Sequence, residues 1–350
     1  MPPRVQLVPT VGAGGRWGGG ARIAGVEVHL PGRRVGTDEV EARIAASGWA
    51  PPAGIVHRLT GITSRHVAGD HEQASDLAVA AARKVLAATG TAAADVDLLI
   101  FASASQDMVE PATAHIVAAK LELSCPVMDV KNACNSVLNG MEVADALIAG
   151  GRYWRVLVVS GETPSRAVRW EVDGIRAFLR AFPGYTLSDA GAAVLLTAGE
   201  PGTGILGSGF TADSRHWEAG TLAAGGSLHP RDVEHTYFAM DSARLKAAFL
   251  SVGTGVLDET LARLELTWDD MAVVAVHQVS LPYLGVFARG AGVPGDKLVV
   301  TVAEHGNVAS ASLPLQLVTA RELGRCGPGD LVALVGLAGG VSLGITVVRL

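Results

Sequence analysis

The chain has 350 residues, 49% of them hydrophobic and 18% charged, with a formal net charge of −6, enough apolar material for one large two-lobed domain or two ordinary ones. Slight acidity without a basic stripe argues against a nucleic-acid partner. Three cysteines, Cys125, Cys134 and Cys326, form an odd set without metal-ligand spacing, which argues against a disulfide framework and a metal site and places the protein in a reducing compartment, the cytoplasm.

No apolar run reaches the roughly 18 residues of a membrane span, and the opening MPPRVQLVPTVGAGGRWGGG has no signal-peptide core. Residues 1–20 read as a flexible extension. Folding begins near Ala21, where ARIAGVEVHLP alternates like a strand and closes at Pro31-Gly32; a short helix over Asp38–Ala46 follows. LTGITSRHVA (59–68) predicts a turn and a short extended segment, and Gln73–Ala88 an Ala-rich helix.

VDLLIFAS (96–103), RVLVVS (155–160) and AGAAVLLT (190–197) are apolar runs suited to strands buried on both faces. Between them lie a helix over Ala112–Leu121, the Cys134 strand and helix, and an irregular segment, 161–189. Its aromatics Trp170, Phe178, Phe182 and Tyr185 read as packing residues of a cap or dimer-facing excursion. Alternation restarts after Gly204 with helix over Asp241–Leu264, a strand at 271–277, a helix at Leu284–Ala291, a strand at KLVVTV (297–302), a helix at Ser310–Leu323 and two closing strands around a Gly-rich turn. The pattern predicts a duplicated α/β arrangement, residues 21–200 forming one half and 201–350 the other.

Chemistry centres on VMDVKNACNSVLNGMEVADALIAG (127–150), where Cys134 sits as a strand stops and a helix starts. A cysteine in the first turn of a helix has its thiolate favoured by free N–H groups and the helix dipole; the alternative is a small buried cysteine filling a corner. In the second half His277 ends AVVAVH, and Asn307 lies in EHGN (304–307) before a helix. A Cys/His/Asn set suits acyl transfer through a thioester, although a core histidine and a turn asparagine account for the same positions. His305 reads as a turn residue.

NAC at Cys134, VHQVS (276–280), EHGN and ASASLP within 304–314, TGITSRH (60–66), SDAGAAVLL (188–196) and GLAGGVSLG (336–344), in order over about residues 21–350, resemble the thiolase superfamily, and most closely β-ketoacyl-ACP synthase III. The resemblance implies the thiolase fold, two similar halves in five layers αβαβα, in a homodimer. It makes Cys134 the acylated nucleophile and His277 with Asn307 the pair that supports condensation. The N–H of Cys134 and one from the Gly339-Gly340 turn form the oxyanion hole.

SQDMVEPATAHIV (105–117), with Glu110 before Pro111, resembles the head-to-head condensing thiolases of olefin and β-lactone pathways, as do VSGETPS (159–165) and DVKNACNSVLNGMEVA (129–144). In that branch the glutamate deprotonates an acyl thioester; the alternative is a solvated loop carboxylate or a charge at a helix N-terminus. The implied activity is Claisen condensation of two acyl thioesters to a β-keto product. A second reading passes the acyl group from Cys134 to a hydroxyl or amine, with His277 as base. A third, a non-enzymatic scaffold subunit of a heterodimer, is opposed by the joint presence of Cys134, His277 and Asn307. No dinucleotide or Walker-type phosphate motif is present, so no cofactor is expected; coenzyme A or acyl carrier protein is the expected substrate carrier.

Overall fold

The structure, a computed structural model, describes residues 20–350; all but the last residue of the expected N-terminal extension lies outside that range. Strand β1 (Ala21–His29) opens the fold, and β2 (Arg33–Gly36) pairs with β3 (Ser64–Val67) around helices α1 (Thr37–Ala45) and α2 (Ile55–Thr60). Then come α3 (Ala74–Thr89), β4 (Leu98–Ala102), α4 (Thr113–Leu121), β5 (Val127–Val130), α5 (Ser136–Ala149), β6 (Arg155–Glu162), α6 (Ile175–Ala181) and β7 (Ala190–Ala198). The chain continues through β8 (Gly204–Ala212), β9 (Gly220–Thr221), β10 (Ala239–Met240), α7 (Ser242–Val252), α8 (Gly255–Arg263), β11 (Val273–Val276) and α9 (Leu281–Gly290). It ends with α10 (Val302–His305), α11 (Ser312–Glu322), β12 (Leu331–Ala338) and β13 (Ser342–Arg349).

Two sheets carry the fold, and they repeat one plan. The first has the order β1-β7-β6-β4-β5, the second β8-β13-β12-β11. In each, two antiparallel pairings are followed by parallel ones: β1 with β7 and β7 with β6, then β6 with β4 and β4 with β5; β8 with β13 and β13 with β12, then β12 with β11. The parallel-paired strands β4 and β11 are buried throughout and apolar on both faces because helices cover both.

Packing makes five layers. Helices α3 and α4 bury Val85, Leu86, Val117 and Leu121 against Leu99, Phe101, Leu157 and Leu195 on the outer face of the first sheet. The middle layer is α5 and α11, whose Leu138, Met141, Ile148, Leu313 and Leu317 join both sheets in one core. Helices α8 and α9 cover the outer face of the second sheet with Leu257, Leu261 and Leu284. Each fully buried Leu or Ile side chain contributes roughly 1.5–3 kcal/mol, and Val137, Leu138, Met141, Ala144 and Ile148, which fall at helical spacing along α5, form one buried stripe.

The segment 161–189 is a cap rather than a loop. Phe178 and Tyr185 stack with centroids 5.7 Å apart, and Trp49 lies 5.2 Å from Phe178; with Val35, Val40 and Ile44 they form a satellite core. The aromatics pack, as their composition implied.

One expected strand is absent. KLVVTV (297–302) forms only an isolated parallel bridge, Leu298 with Val274, at the place where the first sheet has β5. The reason is a side chain. The Gln278 amide nitrogen donates to the Val299 carbonyl (2.6 Å), and its oxygen accepts the N–H groups of Thr301 and Val302 (3.0 Å each). These backbone groups are thereby satisfied without a ladder.

Candidate active site

Cys134 lies in a tight turn between β5 and α5. Asn135 N–H donates to the Asn132 carbonyl (2.9 Å), Ser136 N–H to the Ala133 carbonyl (3.1 Å), and the Ser136 hydroxyl accepts from Asn132 N–H (2.9 Å). Ala133 holds φ 45°, a left-handed value rare for a residue with a Cβ. The helix starts at Ser136 with Asn135 as its N-cap residue, so Cys134 precedes the helix and does not occupy its first turn. The expectation of a dipole-stabilised thiolate is corrected accordingly. Burial pushes the thiol up to about 12, and the Glu162 carboxylate adds to that. Free Cys134 is a thiol, part of whose residue surface stays open.

His277 immediately follows β11, its N–H donating to the Val335 carbonyl (2.8 Å). It is buried, and neither ring nitrogen has a partner among the described residues. Burial lowers its pKa to about 4, so the ring is a neutral imidazole with one free donor and one free acceptor. Both ring nitrogens are therefore open to a bound group, whereas polar groups in a protein interior are normally paired.

The segments carrying Cys134 and His277 meet at the end of β12. The Asn135 amide nitrogen donates to the Ser342 hydroxyl (3.0 Å), and that of Asn132 reaches the same oxygen (3.4 Å). A Cβ on Gly336 would lie 2.1 Å from the Asn135 side-chain oxygen, so only glycine allows this approach. Gly336 follows Val335, the acceptor of the His277 N–H. Between Gly336 and Ser342 runs the turn with Gly339 and Gly340 (φ +82°), followed by Val341 at φ 61°.

Asn307 is fixed by its backbone, donating to the Thr186 carbonyl (2.8 Å) and accepting from Ser188 N–H (2.9 Å). Its side-chain oxygen accepts from Ala309 N–H (3.0 Å), leaving the amide nitrogen without a partner among the described residues. Ala309 has φ 49°. Three of the five positive-φ residues other than glycine among the described residues, Ala133, Ala309 and Val341, thus flank Cys134, Asn307 and the Gly339-Gly340 turn. Such backbone strain, about 1–3 kcal/mol each, gathers where geometry serves function.

Glu162, buried at the end of β6, links these parts, yet its sequence context alone suggested no role. One oxygen accepts the Ala104 N–H (2.8 Å) and the Ser310 hydroxyl; the other accepts the N–H (3.1 Å) and hydroxyl (3.0 Å) of Ser105. Ser310 also meets the Ser160 hydroxyl (2.7 Å). The available signal was a carboxylate ending a run of buried apolar residues.

Glu110 stands apart. It is exposed on the loop between β4 and α4, and among the described residues it makes no hydrogen bond or ion pair. That loop ends at Thr113, whose N–H, with that of Ala114, is held by the Asp129 carboxylate of β5 (2.9 and 2.8 Å). His305 belongs to the scaffold: its Nδ1 lies 3.1 Å from Nε2 of His66 on β3, and the rings stack. His229, Asp232 and His235 also cluster within 4.8 Å on a surface loop, but Asp232 caps its own turn by accepting Glu234 N–H (3.0 Å).

Residues 128–214 match the family model for 3-oxoacyl-[acyl-carrier-protein] synthase III, and residues 261–350 the model for its C-terminal part. The chain is 36% identical to a β-ketoacyl-[acyl-carrier-protein] synthase III of Rhizorhabdus wittichii (94% of this chain, 99% of the relative). It is 34% identical to one of Thiobacillus denitrificans with the same coverage. Among solved structures it superposes on Xanthomonas campestris OleA, determined with bound lauric acid and lauroyl-CoA, with TM-score 0.85 and 25% identity over 95% of this chain and 99% of that one. The sheet duplication, the five layers and these matches agree: the chain belongs to the synthase III family of the thiolase superfamily, the condensing enzymes of acyl transfer.

Proposed function

We propose that the enzyme works by ping-pong condensation of two acyl thioesters, carried by coenzyme A or by the phosphopantetheine of a carrier protein, neither of them a resident cofactor. The observation that carries this reading is the unpartnered, neutral imidazole of His277 beside the strand end that meets the Cys134 turn. In the first half-reaction Cys134 Sγ bonds to the thioester carbonyl carbon. The carbon–sulfur bond to the carrier then breaks, and the thiol proton ends on the departing carrier thiol. The oxyanion forms against the N–H groups of Cys134 and of the Gly339-Gly340 turn, donors of a kind whose removal typically costs about 10²–10³ in rate. In the second, Glu110 takes an α-proton from another acyl thioester, whose carbonyl oxygen is held by His277 and the Asn307 amide. The carbanion attacks the acyl-Cys134 carbonyl, the carbon–sulfur bond to Cys134 breaks to release a β-keto thioester, and the proton taken up by Glu110 returns to the sulfur, regenerating both residues.

We also propose a homodimer. Strand β5 is an edge strand with Met128 on its exposed side, and Met108 and Val109 on the neighbouring loop are exposed too; free edges of this kind are pairing sites. Because the end of the Glu110 loop is held by β5 through Asp129, pairing there puts Glu110 at the subunit seam.

The exposed, unpartnered state of Glu110 favours a second reading, transfer of the acyl group from Cys134 to a hydroxyl or amine, with His277 as base. Intact-protein mass spectrometry of wild type and Cys134→Ala with a panel of acyl-CoA thioesters, with product analysis, tests both. A mass gain lost in the variant, together with a β-keto product from thioester alone, supports condensation; acyl-enzyme that persists until an alcohol or amine is added supports transfer. Glu110→Gln abolishes product only under the first reading.

A further inference from the structure

We propose that Glu162 is a positioning residue for condensation, a single carboxylate that sets the Asn307 turn and the root of the Glu110 loop relative to each other around Cys134. Glu162 is fully buried and meets no cation; its partners are N–H groups and hydroxyls. These donors come from two separate stretches. Ala104 and Ser105 lie at the start of the loop that carries Glu110, and the Ser105 hydroxyl in turn accepts the Thr163 N–H (3.0 Å), clamping the loop to the residue after β6. Ser310 lies in the turn after Asn307, where Ala309 N–H fixes the Asn307 side-chain oxygen.

Four of the donor groups, the N–H and hydroxyl of Ser105, the N–H of Ala104 and the hydroxyl of Ser310, occupy both carboxylate oxygens. Glutamine cannot replace it, because one of its two terminal atoms is a donor and would face N–H and O–H groups. Glu162 also acts on Cys134 through space. Its charge adds to burial in raising the thiol, which keeps the free nucleophile protonated and sparing of side reactions until a thioester binds. Geometry and charge are therefore separable contributions of one residue.

Two variants separate them. Glu162→Gln keeps size and removes charge; Glu162→Asp keeps charge and withdraws reach. In both, acylation of Cys134 by acyl-CoA, followed by intact mass, is expected to stay within about threefold of wild type, while β-keto product formation falls about 10²-fold. The pH profile of Cys134 alkylation by iodoacetamide is expected to move to lower pH in Glu162→Gln and to stay in place in Glu162→Asp. Acylation and condensation falling in parallel, with an unmoved alkylation profile in Glu162→Gln, would reduce Glu162 to a fold-stabilising residue and overturn the proposal. Ser310→Ala, which removes one hydroxyl and keeps the charge, keeps the idea testable if neither Glu162 variant folds: unchanged condensation in that variant overturns it. The proposal rests on the condensation reading, and Glu110→Gln separates the two failures. If Glu110→Gln condenses normally, the reading fails whatever Glu162 does; if it stops condensation and Glu162→Gln does not, the proposal alone fails.

Discussion

The two sheets follow one plan and depart from it at the same margin. In the first, the loop after β4 leads through Glu110 to α4, and the turn after β5 leads through Cys134 to α5. In the second, β11 leads through His277 to α9, and the bridge at Leu298 leads through Asn307 to α11. Strand or bridge, candidate residue, helix: each sheet presents this twice. Where the first sheet completes its margin with a ladder strand and leaves Glu110 outside on a long loop, the second replaces the strand by Gln278 contacts and keeps His277 inside. The difference teaches that a shared topology places a residue without fixing its environment. Gln278 and His277, neighbours in sequence and both buried, show it most sharply: the amide nitrogen and oxygen of one are both bonded, while both ring nitrogens of the other are free.

The largest expected effect tests the free imidazole. His277→Ala should lower condensation by about 10³-fold, equivalent to about 4 kcal/mol, while the urea midpoint at pH 7.5 moves only by the packing lost with the ring, because no hydrogen bond of the ring is lost. A midpoint collapse with proportionate loss of activity would make His277 a core residue. Next, Gln278→Leu strips partners from Val299 O, Thr301 N–H, Val302 N–H and the Gln316 side chain. With buried polar groups orphaned, destabilisation of about 3–4 kcal/mol is expected. Chemical denaturation measures it, and a change below about 1 kcal/mol would mean that something else holds 298–302 in place.

A third effect depends on pH. His277 titrates near 6.5 in the unfolded chain and near 4 in the fold, so between those values the unfolded chain binds a proton that the folded one refuses. Stability is therefore full above about pH 6.5 and falls as pH drops through that window, by on the order of 2–3 kcal/mol. His277→Ala should flatten the slope of stability against pH between 7 and 4. Part of it should persist, since burial also lowers the pKa of His305. An unaltered slope would mean that the ring is solvated. Smallest is the surface control: Arg33→Ala breaks an ion pair with Glu39 (3.1 Å) whose side chains are 63% and 54% exposed. Less than about 0.5 kcal/mol is expected in thermal unfolding, with no change in activity.

Much of this was legible in the chain. Apolar runs placed the main strands because strands buried on both faces carry a continuous signal, and the stripe on α5 marked its core face. Cys134, His277 and Asn307 were picked by residue type at or just beyond strand ends; the structure brings the Cys134 and His277 segments to β12, and ties Ser310, three residues after Asn307, to Ala104 and Ser105 through Glu162. What failed did so for non-local reasons. KLVVTV is apolar enough for a strand, but a glutamine some twenty residues earlier takes its backbone groups. Cys134 stands outside the helix because Ala133 adopts φ 45°, and an alanine carries no sequence mark of that. The role of Glu162 depends on Ala104, Ser105 and Ser310, which only the fold assembles.

The Gln278 contacts have a consequence for assembly. Of the four margins of the two main sheets, β1 and β8 abut within the chain, where a Cβ on Gly204 would lie 2.3 Å from the Ala21 carbonyl. The margin beyond β11 has its polar groups taken up by a side chain. Among the described residues, β5 is the edge of these two sheets that stays uncovered, and under the proposed dimer it is the margin that a second copy would take up.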